Sequence, residues 1–95
     1  MQGLLTSEKI LGLRKQIAEV KQERRQKVGH YIAALRIENE MTREDLAHAL
    51  NCSYQTIWHI ENCRRLPGND LAQAMAKLFG VSVDSILNGD PDHAA

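Results

Sequence analysis

The sequence predicts an all-α fold: five short helices preceded by an additional N-terminal amphipathic helix. Two observations indicate this class. Apolar residues recur at spacings of three and four along most of the chain, without the alternation that strands show. Residues favoured at helix ends also recur at short intervals, among them Thr42, Asn51, Ser53 and Gly80. A chain of 95 residues has room for one domain and an appended segment.

The first element is an N-terminal arm, residues 1–27. Ser7 is a suitable N-cap, and apolar residues follow it at spacings of three, four and three. We call this stripe the arm seam: Ile10, Leu13, Ile17 and Val20. Two interpretations remain open, in which the arm packs on its own domain or pairs with a partner chain. The basic run 21–27 after the seam is either a solvated face or a contact for phosphates.

Residues 28–89 form the predicted domain. Its first helix begins at Val28, and Gly29 is interpreted as a kink or a break from the arm. Thr42 caps the second helix, and Asn51 suits the left-handed conformation that ends it. The acidic residues in the first turn of this second helix are favourable near the positive end of the helix dipole.

Ser53 caps the third helix, predicted at 53–61. A loop marked by proline and glycine follows, and Asp70 is predicted to start the fourth helix, which Gly80 ends. A short fifth helix and a frayed tail, 90–95, complete the chain. The predicted buried residues are Val28, Tyr31, Ile32, Leu35, Leu46, Ala47, Leu50, Ile57, Ile60, Leu71, Ala72, Met75, Ala76, Phe79, Ile86 and Leu87.

The second and third helices are separated by three residues, 51–53. A turn this tight sets two short helices at a steep angle, so that the third is held outward on the second. Tyr54, Gln55, Trp58 and His59 then lie on an exposed helix face. This arrangement adds little to a core but presents side chains to a partner.

Charge is unevenly distributed, although the whole chain is neutral. Residues 1–27 carry a net charge of +4, residues 28–89 carry −2, and the tail carries −2. Nucleic-acid-binding domains are usually basic, so the charge of the domain argues against that function. No apolar run approaches the roughly 20 residues of a membrane span, and the two cysteines form no disulfide framework, which predicts a reduced, cytoplasmic protein.

The sequence contains no pattern of catalytic or cofactor-binding residues. The spacings of the cysteines and histidines fit no common zinc signature. Cys52 is interpreted as a small apolar residue at a buried turn position. There is no glycine-rich phosphate loop and no activated nucleophile, so the sequence predicts neither an enzyme, a cofactor, a metal site nor a small-molecule substrate.

Residues 28–88 resemble the phage lambda-type repressor/Cro helix-turn-helix family. The resemblance is carried by "LRIENEMTREDLAHALNCSYQTIWHIENCRRLP" and "LAQAMAKLFGVSVDSIL". It implies a five-helix lambda repressor-like domain in a DNA-binding transcription regulator, with the third helix as the recognition helix. It also implies that Arg36 and Glu61 form a structural ion pair between the first and third helices.

The resemblance further implies which residues contact DNA. The N-terminal end of the recognition helix enters the major groove, where Gln55 suits adenine and His59 suits a guanine acceptor. The implied base-contacting residues are Ser53, Tyr54, Gln55, Thr56, Trp58 and His59. The implied phosphate-contacting residues are Arg43, Asn62, Arg64 and Arg65. Outside the resemblance, the basic run of the arm adds Arg24, Arg25 and Lys27 as candidates.

Three residues depart from the pattern of the family. Arg43 stands where glutamine is common, so the support that position gives a recognition side chain is in doubt. Cys63 replaces a glycine after "EN", which predicts a different loop because positive φ is uncommon outside glycine. Trp58 is large for an exposed position. It packs on the basic loop or the arm, contacts DNA, or anchors a protein partner.

Two functions follow from the sequence. The first is a bacterial or phage repressor-type regulator that binds palindromic double-stranded DNA as a homodimer, with half-sites about 34 Å apart. The dimer forms through the arm or through the last helix. The second is a protein-binding regulator on the same fold, an antitoxin or antiactivator, which uses the arm or the Trp58 surface. The charge of the domain favours the second.

Overall fold

The computed structural model describes residues 7–91, which form five helices and no strand. This confirms the predicted all-α class. The helices in chain order are α1 (Ser7–Glu38), α2 (Arg43–Ala49), α3 (Tyr54–Glu61), α4 (Asn69–Phe79) and α5 (Val83–Asn88).

Helix α1 joins the arm and the first helix of the domain without interruption. The predicted break at Gly29 was wrong. A Cβ atom at Gly29 would lie 2.5 Å from the backbone oxygen of Ile60, so the glycine lets α3 approach the α1 backbone closely. The additional N-terminal helix is therefore the first part of α1 and not a separate element.

The arm seam does not pack on the domain of its own chain. Every residue from 9 to 24 is exposed, so the first of the two interpretations of the arm was wrong. Contact with the domain begins only at the end of the arm, where Arg24 Nε donates to the Leu87 oxygen at 3.1 Å and Lys27 Nζ lies 3.0 Å from Asp90. The N-cap predicted at Ser7 is untested, because that side chain lies outside the described part of the structure.

One hydrophobic core holds the domain together. Eleven apolar side chains from all five helices are buried in it, and all eleven were predicted: Val28, Ile32, Leu35, Leu46, Ala47, Ile57, Ile60, Ala72, Met75, Ala76 and Ile86. The predicted residues Tyr31, Leu50, Leu71, Phe79 and Leu87 are partly buried around it. Packing of the buried residues of α3 against those of α1 thus fixes the position of α3.

The last two helices close the domain against α1. Helix α4 starts at Asn69, one residue before the predicted Asp70, and ends at Gly80 with φ 69°. Ser82 caps α5 by accepting from the Ser85 backbone. Gly89 has φ 70°, and a Cβ atom there would lie 2.5 Å from the Val28 nitrogen, so glycine is required for both reasons.

The predicted frayed tail is partly ordered. Asp90 accepts from Lys27 and its backbone nitrogen donates to Ser85. Residues 92–95 of the tail lie outside the described residues. The division into an arm, a domain and a tail therefore remains a proposal.

Candidate nucleic-acid interface

A tight turn between α2 and α3 positions the exposed helix. Thr42 and Asp45 form a reciprocal capping box at the start of α2. Asn51 takes the predicted left-handed conformation, with φ 53°, and the Cys52 nitrogen donates to the Ala47 oxygen at 2.9 Å. These are the bonds of a Schellman helix end, which turns the chain sharply before Ser53. The tight turn predicted between the two helices is formed in this way.

Helix α3 has one buried face and one exposed face. Ile57 and Ile60 are fully buried against the core. Tyr54 and Gln55 are exposed, and Thr56, Trp58 and His59 are half-buried. All six side chains predicted to contact bases thus lie on Ser53 and α3, with the first turn most exposed.

Two of those side chains contribute to helix capping. Ser53 Oγ accepts from the Thr56 backbone nitrogen at 3.2 Å, and the two hydroxyl groups are 2.9 Å apart. The hydroxyl pair fixes the first turn of α3. Tyr54 and Gln55 are therefore presented on a turn whose backbone is already held.

Glu61 connects three helices through its carboxylate. Arg36 of α1 donates to both of its oxygens, at 2.7 and 3.0 Å, as the resemblance implied. Arg43 of α2 also donates to it, at 3.0 Å. Hydrogen bonds to Glu61 and then to Tyr54 raise the pKa of Arg43 above its ordinary value. The orientation of α3 is thereby fixed from two sides.

The part that Arg43 plays in this cluster was missed from the sequence. Arg43 was predicted to contact phosphate, which stays a prediction, and its guanidinium lies on Glu61 and beside Tyr54. Its side chain remains partly exposed at the edge of the interface. A signal for this contact was present, since a buried carboxylate has four acceptor positions and one arginine does not fill them.

The end of α3 keeps the conformation that glycine usually takes. Cys63 has φ 64°, its nitrogen donates to Ile60, and the Arg64 nitrogen donates to His59 at 2.9 Å. The different loop predicted from Cys63 was wrong, because these two bonds complete a Schellman end in spite of the side chain. Asn62, a predicted phosphate contact, donates its side-chain amide to the Trp58 oxygen at 2.8 Å.

Trp58 lies between its helix neighbour and the basic loop. Its ring meets the His59 ring edge to face, with centroids 5.2 Å apart. The guanidinium carbon of Arg64 lies 5.3 Å from the Trp58 ring centroid, within range of a cation–π contact. Of the three interpretations of Trp58, packing against the basic loop is present in the structure. Arg64 and Arg65 are both exposed.

Cys52 packs against the core, and burial raises the pKa of its thiol. In the part of the chain that the structure describes, no three histidine, cysteine or acidic side chains converge as metal ligands. No helix between residues 7 and 91 has the length and apolar character needed to cross a membrane.

Comparisons with known proteins agree with this geometry. A family model described as "Helix-turn-helix" matches residues 32–86, which extend from the last two turns of α1 into α5. An uncharacterized HTH-type transcriptional regulator of Methanocaldococcus jannaschii is 41% identical over 54 residues, which cover 57% of this chain and 82% of that protein. No solved structure matches.

Proposed function

The chain belongs to the helix-turn-helix family of DNA-binding transcription regulators, and we propose that it binds specific double-stranded DNA sites as a homodimer. The observation that carries this proposal is the exposed first turn of α3. That turn is capped by Ser53, held from behind by Ile57 and Ile60, and fixed in direction through Glu61. A rigid helix of this kind can place its N-terminal side chains against base edges in the major groove.

We assign recognition of the DNA sequence to the exposed polar side chains of that turn. Gln55 suits a bidentate contact with adenine, and Tyr54 and His59 provide hydrogen-bonding groups on either side of it. Ser53, Thr56 and Trp58 lie on the same surface. Because Ser53 and Thr56 bond each other, we assign them a smaller share of base recognition.

Affinity is assigned to cations around α3. Arg64 and Arg65 follow its C-terminal end and are exposed, and Arg43 and Asn62 lie at its edges. The arm cations Arg24 and Lys27 contribute less in this proposal, because they bond Leu87 and Asp90. The homodimer would act on palindromic sites in the cytoplasm, where DNA of a bacterium or phage is found, and would have no enzymatic activity.

The experiment is selection of duplexes by the full chain, followed by measurement of the affinity over a series of salt concentrations. We expect an enriched palindromic site and a steep loss of affinity with salt, because phosphate contacts release counterions. Replacement of Arg64 by alanine should flatten the slope of log K against log salt by about one. Failure to bind any duplex at low salt would overturn the proposal.

A protein-binding regulator on the same fold remains the second candidate. The net charge of −2 on residues 28–89 and the exposed arm seam favour it. Such an interaction would depend on apolar burial and would change little with salt. The salt series therefore separates the two functions.

A further inference from the structure

The arm seam is an exposed apolar stripe on a helix that leaves its domain. Leu13, Ile17 and Val20 are exposed by 46, 54 and 64%. They lie at spacings typical of a coiled-coil interface, with Ile10 and Ile17 at a positions and Leu13 and Val20 at d positions. A helix of this length with an uncovered apolar stripe gains stability in water only when that stripe is buried.

The domain itself marks where the seam ends. The a and d positions that follow the seam along α1 are Arg24 and Lys27. Their side chains bond Leu87 in α5 and Asp90 just after it. A notch lined by Val20, Glu23, Arg24, Lys27, Asn88 and Asp90 lies at this junction. A helix that covers the seam therefore has room along residues 7–23 and meets the domain beyond them.

We propose that the arm of a second copy of this chain covers the seam in antiparallel orientation. This inference rests on the homodimer proposed above and specifies its interface. In antiparallel pairing the two domains lie at opposite ends of the paired arms, and each arm covers residues 7–23 of the other. In parallel pairing both domains would lie at the same level on the seam side, so α5 of each would collide with the other domain.

The charges beside the seam favour the same orientation. With Ile10 against Val20 of the second copy, Lys9 faces Glu23 of the second copy, and symmetry makes this contact twice. One repulsive pair remains, between Arg14 of one copy and Arg14 of the second copy near the two-fold axis. Parallel pairing would instead place Lys9 against Arg14 of the second copy, twice, with no attractive pair.

The arm also lies outside the part of the chain that defines the family. The family match begins at residue 32, whereas the seam ends at Val20. The pairing device is thus an addition to the helix-turn-helix domain. Along the arm axis the two Val28 residues would be about 39 Å apart, at 1.5 Å per residue. The two domains of an arm-paired dimer therefore begin well apart along the arm axis.

The orientation is tested by exchanging charges in the full chain and measuring the dimer dissociation constant by sedimentation at low salt. We expect Lys9→Glu and Glu23→Lys each to weaken the dimer about tenfold, because two attractive pairs become repulsive. The double variant should restore the affinity. Tighter pairing by Lys9→Glu would indicate a parallel dimer and overturn the inference, as would unchanged affinity in both single variants.

The surface is tested by placing one carboxylate on either side of the arm. Ile17→Glu should abolish the dimer, whereas Gln22→Glu, on the opposite face of α1, should leave it intact. A dimeric Ile17→Glu variant would overturn the arm interface. If that variant still bound palindromic DNA, the proposed function would stand with a different interface. If the arm-paired dimer forms but binds no DNA, the arm interface would stand and the proposed function would be overturned.

Discussion

Arg36 of α1 holds the Glu61 carboxylate at the end of α3 by two hydrogen bonds, from Nε at 2.7 Å and from Nη2 at 3.0 Å. The Glu61 side chain is 1% exposed and that of Arg36 is 12% exposed. A third bond, from Arg36 Nη1 to the Met41 oxygen, holds the guanidinium itself. The helix proposed to enter DNA is thus oriented by a buried ionic contact as well as by apolar packing.

Removal of the buried carboxylate should be costly. We expect Glu61→Ala to lower the free energy of unfolding by about 3–5 kcal/mol, because Arg36 would keep a buried charge without its partner. Arg43→Gln should cost about 1 kcal/mol or less, because the Arg43 side chain is 38% exposed and Arg36 still pairs with Glu61. Urea denaturation followed by circular dichroism measures both, and equal losses would contradict this account.

Two glycines of the same helix should respond to alanine in opposite ways. Gly29→Ala should lower the free energy of unfolding by about 2 kcal/mol, because its Cβ would overlap the Ile60 oxygen. Gly12→Ala has nothing within 4 Å of its Cβ and should favour the helix by up to about 1 kcal/mol. Denaturation midpoints and the helical signal of each variant provide the comparison. A gain in stability in both variants would exclude the close approach at Gly29.

Acid should weaken the start of α2. Bonds from the Thr42 backbone and then its hydroxyl lower the pKa of Asp45 below its ordinary value of about 4. Because the pKa is lower in the folded state, this contribution to stability is present above pH 4 or so and is lost as the pH falls through the folded value. Asp45→Asn should therefore reduce the acid dependence of the denaturation midpoint. Denaturation midpoints of both proteins over a series of pH values measure this, and an unchanged acid dependence in the variant would contradict it.

Local features of the fold could be predicted from the sequence, and contacts between distant segments could not. Thr42, Asn51, Ser53 and Gly80 act through their own backbone neighbours, so residue type alone indicated where α2 begins and ends, where α3 begins and where α4 ends. Gly29 was misinterpreted because its role depends on α3, which approaches it from about thirty residues away along the chain. A glycine that permits close packing and one that breaks a helix look alike in a sequence.

In the candidate site, too, local features could be predicted from the sequence and contacts between distant segments could not. The exposed first turn of α3 followed from helix periodicity and from the resemblance of the sequence to a known family. The bond from Arg43 to Glu61 joins residues 18 apart, and its existence depends on the angle between α2 and α3. The stacking of Arg64 on Trp58 likewise depends on the path of the loop after α3. Charge and residue type suggested phosphate contacts at both arginines. Packing of Trp58 on the basic loop was one of three interpretations, and the bond from Arg43 to Glu61 was not predicted.

Gln55 should select a base. We expect Gln55→Ala to relax the preference at one position of each half-site and to cost about 1–3 kcal/mol against the preferred site, because a bidentate contact is lost. Binding to duplexes with single base changes measures this. Gln73→Ala changes an exposed glutamine on α4 and is the matched control. An unaltered preference in Gln55→Ala would remove Gln55 from the base-reading residues.

Trp58 should act on DNA through Arg64. The guanidinium of Arg64 lies over the Trp58 ring, and this contact restricts an exposed and otherwise mobile side chain. We expect Trp58→Ala to weaken binding to all duplexes by a similar factor and to flatten the salt slope, as Arg64→Ala does. The effects of the two changes should be less than additive in the double variant, because each removes the same contact. Trp58→Phe keeps an aromatic face and should retain most of the affinity.

Duplexes that differ at single positions then distinguish this role from direct base contact. If the Trp58 ring packs on a thymine methyl, Trp58→Ala should change the preference at one base pair, and Arg64→Ala should not reproduce that change. If the ring binds a protein partner, Trp58→Ala should bind DNA as wild type does, and Arg64→Ala should still lose its phosphate contact. The stacked geometry in the structure favours a uniform loss, because Trp58 is half-buried between His59 and Arg64 and its face is already occupied.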